Sequence, residues 1–271
     1  MRRSAISVII TATICCACLL QPAAAAPRLV EPLPQAHSHN DYQHPRPLLD
    51  ALELGFCNIE ADVFLVGEQL LVGHDEKDLR PDRTLELLYL EPLRQLIAER
   101  DGRLFADGQR LTLLIDFKSA GPPTYAALSE LLRKYEDIIS GFQDGAWHAR
   151  QIDVIISGDR PTELIAQDDK RLVAVDGRLK NLAADPPAAL IPLVSDNWNE
   201  HFTWRGNGPM PDAEREKLRS LVEQAHAQGR RLRFWATPDS PNVWRELQTA
   251  GVDVIGCDDL AALRAFLTAS D

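Results

Sequence analysis

Basic residues are in short supply in this 271-residue chain, where 29 Lys and Arg face 40 Asp and Glu for a formal charge of −11. The pI falls near 5.1 and aromatic residues reach only 6%. Nucleic-acid binding needs clustered Lys and Arg to neutralise phosphates, so that class of partner is excluded. Cysteine is sparse, and three of the five, Cys15, Cys16 and Cys18, crowd the N-terminus. The chain also lacks an apolar run of the ~20 residues that span a bilayer. What it does not lack is apolar residues overall: at 45% they can bury a sizeable core, which excludes disorder.

The N-terminus has its own logic. Arg2 and Arg3 precede a short apolar run over residues 5–20, followed by Gln21, Pro22 and four alanines. A charged start, an apolar centre and a small-residue exit predict a secretory signal peptide over residues 1–25, cleaved after Ala25. The context of Cys18 is poor for lipid attachment. The expected product is a secreted or periplasmic chain of residues 26–271, a single domain without a transmembrane anchor. Its charge becomes −13, and its two remaining cysteines are Cys57 and Cys257. These are not expected to pair, because Cys57 should begin its strand and Cys257 should end one.

Beyond residue 27 short apolar runs alternate with amphipathic ones. Candidate buried strands cover residues 35–40, 58–66, 111–118, 152–158, 172–176, 190–195, 231–236 and 252–257. Apolar residues at three- and four-residue spacing predict helices over 48–54, 85–97, 125–139, 213–227, 243–249 and 260–267. Asp212 and Ser240 are placed as N-caps, and Gly55, Gly229 and Gly251 as stops. Residues 179–188 show no convincing helix, and 67–73 read as a hairpin insertion after the second strand. No low-complexity tract or short repeat is apparent. Eight strands alternating with helices predict an α/β fold, a parallel (β/α)8 TIM barrel, whose typical size is ~250 residues.

In such a barrel the chemistry belongs to the C-terminal ends of the strands. Polar residues gather there: His37-Ser38-His39-Asn40-Asp41, Glu60-Ala61-Asp62, Asp116-Phe117-Lys118, Ser195-Asp196-Asn197, Trp235 and Cys257-Asp258-Asp259. Glu60 and Asp62, two residues apart on a strand, face the same way. With Asp116 they make a three-oxygen site suited to one divalent cation, Mg²⁺ or Ca²⁺; the alternative is ion pairing with Lys118 and an arginine. His39 and His74 are the natural proton-transfer pair, with His74 folded back over the mouth by the hairpin. Lys118 either holds a phosphate or pairs with Glu60 or Asp116. His37 shares the face of His39 and either orients it or touches phosphate. Trp235 is either a wall for substrate or packing. His44, His148, His201 and His226 are assigned to surface or loop positions. Trp198, His201, Phe202 and Trp204 crowd a loop after the sixth strand that suits a lid, an interfacial membrane contact or, most simply, a packed Ω-loop.

The ordered set His37-Ser38-His39-Asn40-Asp41-Tyr42, Ile59-Glu60-Ala61-Asp62-Val63, Leu71-Val72-Gly73-His74, Leu114-Ile115-Asp116-Phe117-Lys118 and Phe234-Trp235-Ala236 resembles the phosphodiesterase barrel superfamily. That group holds glycerophosphodiester phosphodiesterases, phosphatidylinositol-specific phospholipase C-like proteins and sphingomyelinase D toxins. The chain is most similar to the phospholipase C-like branch named after altered inheritance of mitochondria proteins. The resemblance implies a distorted barrel that hydrolyses a small-molecule or lipid phosphodiester with one divalent ion, as a monomer. It assigns Glu60, Asp62 and Asp116 to the metal and His39 and His74 to acid–base catalysis. Lys118, His37, Asn40 and Trp235 fall to the substrate. The chain departs from the His-Arg-Gly opening usual in glycerophosphodiesterases, and its third carboxylate is Asp116 where theirs is commonly Glu. Two rival readings remain from the residues themselves. A metal-dependent amidohydrolase would also use His-x-His after a first strand, but would want histidines on the middle strands. A non-catalytic phosphate- or lipid-binding barrel would keep the fold with an incomplete site.

Overall fold

The first and last barrel strands lie side by side. In the computed structural model, which describes residues 29–269, eight parallel strands close into a ring: β1 (Leu33–Ser38), β2 (Phe56–Val66), β4 (Leu111–Phe117), β7 (Ile152–Gly158), β8 (Ala174–Gly177), β9 (Leu193–Asn197), β10 (Arg231–Trp235) and β11 (Val254–Cys257). Closure comes from β1 pairing with β2 on one side and with β11 on the other, Ala36 opposite Ile255 and Ser38 opposite Cys257. The expected (β/α)8 barrel is therefore the observed one. The expected signal segment, residues 1–25, lies outside the described residues. No helix among the described residues is long and apolar enough to cross a membrane.

The strands bury both faces, as parallel strands covered by helices must. Ala36, Ile59, Ala61, Leu113, Ile115, Val154, Ile156, Val194 and Leu232 are all fully enclosed. A small inner cluster of Leu114, Ile155, Ala174, Leu193 and Val254 fills the barrel, with Trp147 packed against it. Trp147 comes from a two-stranded hairpin, β5 (Gly141–Gln143) with β6 (Ala146–His148), that the hydrophobic pattern does not announce.

Local signals explain most boundaries. Ser240 caps the helix Pro241–Ala250, its hydroxyl accepting from the Val243 N–H, and Gly251 ends it at φ 86°. Gly55 and Gly229 also adopt left-handed φ where helices stop. Asp212 is not an N-cap; it is the first residue of the helix Asp212–Ala227, and its carboxylate pairs with Arg215 at 3.0 Å. The helix expected over 125–139 instead runs Gly121–Arg133, because Pro122 and Pro123 suit a first turn. Lys180–Ala184 forms a short helix where none was expected; Pro186 and Pro187 keep it short.

Strand β2 outruns the barrel. Its last four residues pair antiparallel with β3 (Gln69–Val72), Val63 opposite Val72 and Val66 opposite Gln69. Gly67, at φ 62°, makes the tight reversal. The hairpin expected over 67–73 thus folds back, and Gly73 N–H donates to the Asp62 carbonyl at 3.2 Å.

Candidate active site

The hairpin's return delivers His74 to the barrel mouth. Its Nδ1 lies 3.3 Å from Asp62 Oδ2 and 3.2 Å from the Tyr42 hydroxyl. On the neighbouring strand, His39 follows β1, and its Nδ1 lies 2.7 Å from Asp258 Oδ1. That contact extends the closing register by one residue, since Ser38 faces Cys257. Asn40 Nδ2 approaches the same His39 nitrogen at 3.4 Å. Both rings are thus held through Nδ1, and neither Nε2 has a hydrogen-bond partner among the described residues.

The turn that carries His39 is anchored by a buried acid. Asp41 accepts from the Ser38 hydroxyl at 2.8 Å, the Leu48 N–H at 2.6 Å and the Tyr89 hydroxyl at 3.0 Å. Asn40 takes the left-handed conformation at φ 48°, which Asn tolerates better than most residues. Asp41 therefore shapes the loop, while its neighbours face the mouth.

The expected carboxylates stand on β2 and on β4 beside it. Asp62 and Asp116 are register partners on β2 and β4. Lys118 sits between them, its Nζ 3.0 Å from Asp62 Oδ2 and 2.6 Å from Asp116 Oδ2. Burial pulls the Lys118 ammonium down, but the hydrogen bond and charge of Asp116, with Asp62, outweigh it and raise its pKa. Burial, then the charge of Glu60, pushes the Asp62 carboxyl upward, and Lys118 opposes them. Glu60 is claimed by others: its Oε2 accepts from Arg233 at 2.8 Å and from His37 Nε2 at 2.8 Å. Burial works to raise the Glu60 carboxyl, yet Arg233 and the His37 hydrogen bond hold it well below the usual carboxylate range. His37 is enclosed, and burial, then Arg233, pushes its imidazole down to about 4, so the ring is neutral near pH 7. It serves Glu60 rather than His39.

Glu60, Asp62 and Asp116 offer the oxygen donors a hard divalent cation prefers, but as they stand their ligand atoms do not all lie within 4.8 Å of one another. All three donors are oxygens on adjacent strand ends, and Asp62 Oδ1 is buried with no hydrogen-bond partner. The expected pairing alternative is realised, with Lys118 on Asp62 and Asp116 and with Arg233 on Glu60. Among the described residues, the group of ligand type that is gathered so closely stands at the end of β9. Ligand atoms of Asp196, Glu200 and His201 lie within 4.8 Å of one another, giving His201 more context than its sequence position suggests. The aromatic residues beside it are packed: Trp198, Phe202 and Trp204 are buried, and Trp198 stacks on Phe202 at 4.1 Å between centroids.

Trp235 is half-buried, and the Arg178 guanidinium lies 4.6 Å over its ring. A cavity of about 260 Å³ lined by His39, Trp235, Thr237, Asp239 and Asp258 opens on this rim. A larger one, about 380 Å³, lies at the N-terminal end of the barrel among Arg110, Thr112, Trp147, Asp153 and Arg231, remote from the histidines. The rim, where strand ends bring titratable groups together, is the candidate site.

Sequence reasoning puts Asp258 on the rim and Tyr42 in the first motif without giving either a role, and it passes over Arg233. The Tyr42 hydroxyl lies 2.8 Å from both Asp62 Oδ2 and Asn40 Oδ1. Closure of the ring is the signal that would give Asp258 its role. For Arg233 the signal is strand period: Arg231, Arg233 and Trp235 alternate onto one face, and an inward arginine needs an acid.

A family model described as AIM6-like phosphodiesterase domain matches residues 26–176. The chain belongs to this family. AIM6-like relatives share most of its length: altered inheritance of mitochondria protein 6 of Eremothecium gossypii is 31% identical over 275 residues, covering 88% of this chain and 71% of the relative. A homolog from Arthroderma benhamiae is 28% identical over 269 residues, with coverages of 88% and 85%. Among solved structures, a glycerophosphodiester phosphodiesterase from Parabacteroides distasonis superposes with a TM-score of 0.56 at 18% identity, over 86% of this chain and 96% of that one. A calcium-dependent phosphoinositol-specific phospholipase C from a Pseudomonas species gives 0.58 at 12% identity, over 84% and 89%. At those identities the likeness speaks for the barrel, and the AIM6-like match speaks for phosphodiesterase chemistry.

Proposed function

We propose that the chain is exported and hydrolyses a phosphodiester, lipid-derived, through His39 and His74 with one divalent cation. The observation that carries this reading is the pair of imidazoles, each held at Nδ1 by a carboxylate and each with Nε2 unbonded among the described residues. An Nδ1–H donated to Asp258 or Asp62 leaves the Nε2 lone pair facing the mouth, ready to take a proton. A ring that has gained a proton can return it to the leaving alkoxide. One histidine then activates water or a substrate hydroxyl, and the other protonates the leaving group. Tyr42 steadies Asp62 and His74 together, and the neutral His37 with Arg233 fixes Glu60.

Glu60, Asp62 and Asp116 would hold the cation, Mg²⁺ or Ca²⁺. When bound, it supplies positive charge against the phosphate oxygens, where charge accumulates in the transition state. Lys118 supports the same oxygens. Asn40 and Trp235 flank the substrate. The amidohydrolase alternative finds little support, since the buried polar residues of β7, β8 and β9 are Ser157, Asp176 and Ser195, and none of the three strands holds a histidine.

The test is a phosphodiester panel of glycerophosphocholine, phosphatidylinositol and sphingomyelin, assayed with chelator and with Mg²⁺ or Ca²⁺ restored. Turnover that chelator abolishes and one cation restores is the expected result. No cleavage of any member with either cation would overturn the reading in favour of a non-catalytic binding barrel.

A further inference from the structure

Two guanidinium groups at the mouth take no part in the machinery described so far. Arg178 directly follows β8 and Arg160 stands two residues beyond β7. Around the closed ring, β8 lies four strands from β1 in either direction, and β7 lies four from β11. The two arginines therefore stand across the mouth from His39 and its partner Asp258.

Their pairing is lopsided. Arg178 lies 3.0 Å from Asp176 Oδ2 and stacks over Trp235. Asp176 is already engaged, accepting from Ser195 at 2.5 Å and Ser157 at 3.1 Å in full burial. Arg160 has no carboxylate within 4.0 Å among the described residues; its Nη1 donates to the Gly158 carbonyl at 2.9 Å. It feels the charges of Arg178, Asp176, Asp116 and Asp196, which come from the strand ends around the mouth. Burial, then the nearby Arg178, works against its protonated form. A half-buried cation beside a second cation, without a counter-ion of its own, is a site for an anion. Lys118 differs, being bound on both sides by Asp62 and Asp116.

A phosphate within reach of His39 and His74 lies over β1, β2 and β4. The arginines at the ends of β7 and β8 address a different group. We infer that Arg160 and Arg178 form a second anion subsite, and that the substrate is a phosphodiester carrying a further phosphomonoester or carboxylate beside Trp235. The substrate class rests on the phosphodiesterase reading above. The planar guanidinium fork suits either anion, and Trp235 holds Arg178 flat at the rim.

The test combines binding with turnover on the full exported chain, with the activating cation present. Calorimetry compares propyl phosphate with propane-1,3-diyl bisphosphate and 3-phosphooxypropanoate. At least tenfold tighter binding of one of the two probes with a second anionic group is expected, and which one identifies the second anion. Arg160→Gln should cut that advantage below threefold, while Arg160→Lys keeps part of it; thermal melts confirm that each variant is folded. Equal affinities in the parent chain would overturn the inference. So would an Arg160→Gln loss equal for all three probes, which would place Arg160 on the reacting phosphate. The turnover arm compares ethyl, 2-carboxyethyl and 2-phosphoethyl p-nitrophenyl phosphodiesters. A higher kcat/KM for a charged diester supports the substrate class, and equal values overturn it. Cleavage of none of them, with the binding advantage intact, would overturn the phosphodiesterase reading and leave the anion subsite standing.

Discussion

At Tyr42 one hydroxyl meets three partners, Asp62, Asn40 and His74. Burial, then the charge of Asp62, raises its pKa far above the ordinary tyrosine value, so it remains a proton donor across the working range. Tyr42→Phe removes that donor without opening a void. The expected result is a roughly tenfold fall in kcat with KM within about twofold, on the scale of one charge-assisted hydrogen bond. His39→Ala and His74→Ala should each cost about 10²–10⁴ in kcat, with unchanged circular dichroism. Near-parental activity in either histidine variant would remove it from the acid–base pair. The histidines and carboxylates were legible because each belongs to a compact motif at a strand end. The roles of Tyr42, Arg233 and Asp258 were not, because they depend on partners 20, 173 and 219 positions away.

Elements place these groups, and their ends matter more than their middles. Gly158 closes β7 at φ 70°, and a Cβ there would stand 2.7 Å from the Phe117 backbone nitrogen and 3.0 Å from Asp116 Oδ1. Gly158→Ala would strain the left-handed backbone by about 1–2 kcal/mol before any overlap is relieved. A fall in Tm of more than about 4 °C is expected by calorimetry, with a larger loss of activity than a distant substitution of equal cost. A parental Tm would contradict this. All eight barrel strands were legible, because short apolar runs recur between the amphipathic stretches that form helices. The β5–β6 hairpin was not. Gly141–Gln143 and Ala146–His148 are three residues each, too short for a period to register, and Trp147 gains its purpose only from the barrel it packs against.

For the whole molecule, the ring is the unit of stability. The segment matched by the family model, residues 26–176, ends within β8 and omits β9, β10 and β11. Expressed alone, it would expose β1 and β8 as unpaired edges and lose Arg233 from beside Glu60. It should be insoluble or lack a cooperative melt, whereas residues 26–271 should unfold in one transition. A soluble, cooperatively melting fragment would refute this. Part of the chain's acidic charge is concentrated at Glu60, Asp62 and Asp116, though Lys118 and Arg233 temper it.

Pairing of the first strand with the last also sets the order in which things can happen. Ala36 and Ile255 are separated by 219 residues, so the contact that seals the barrel is among the most remote in sequence that the chain makes. Closing so long a loop adds only a logarithmic entropic cost, but topology of this kind slows folding. A nascent chain can build the β2–β4–β7 side early, yet it cannot bring Asp258 to His39 until synthesis is nearly finished. The His39–Asp258 contact is thus completed last, after the rest of the ring has been synthesised.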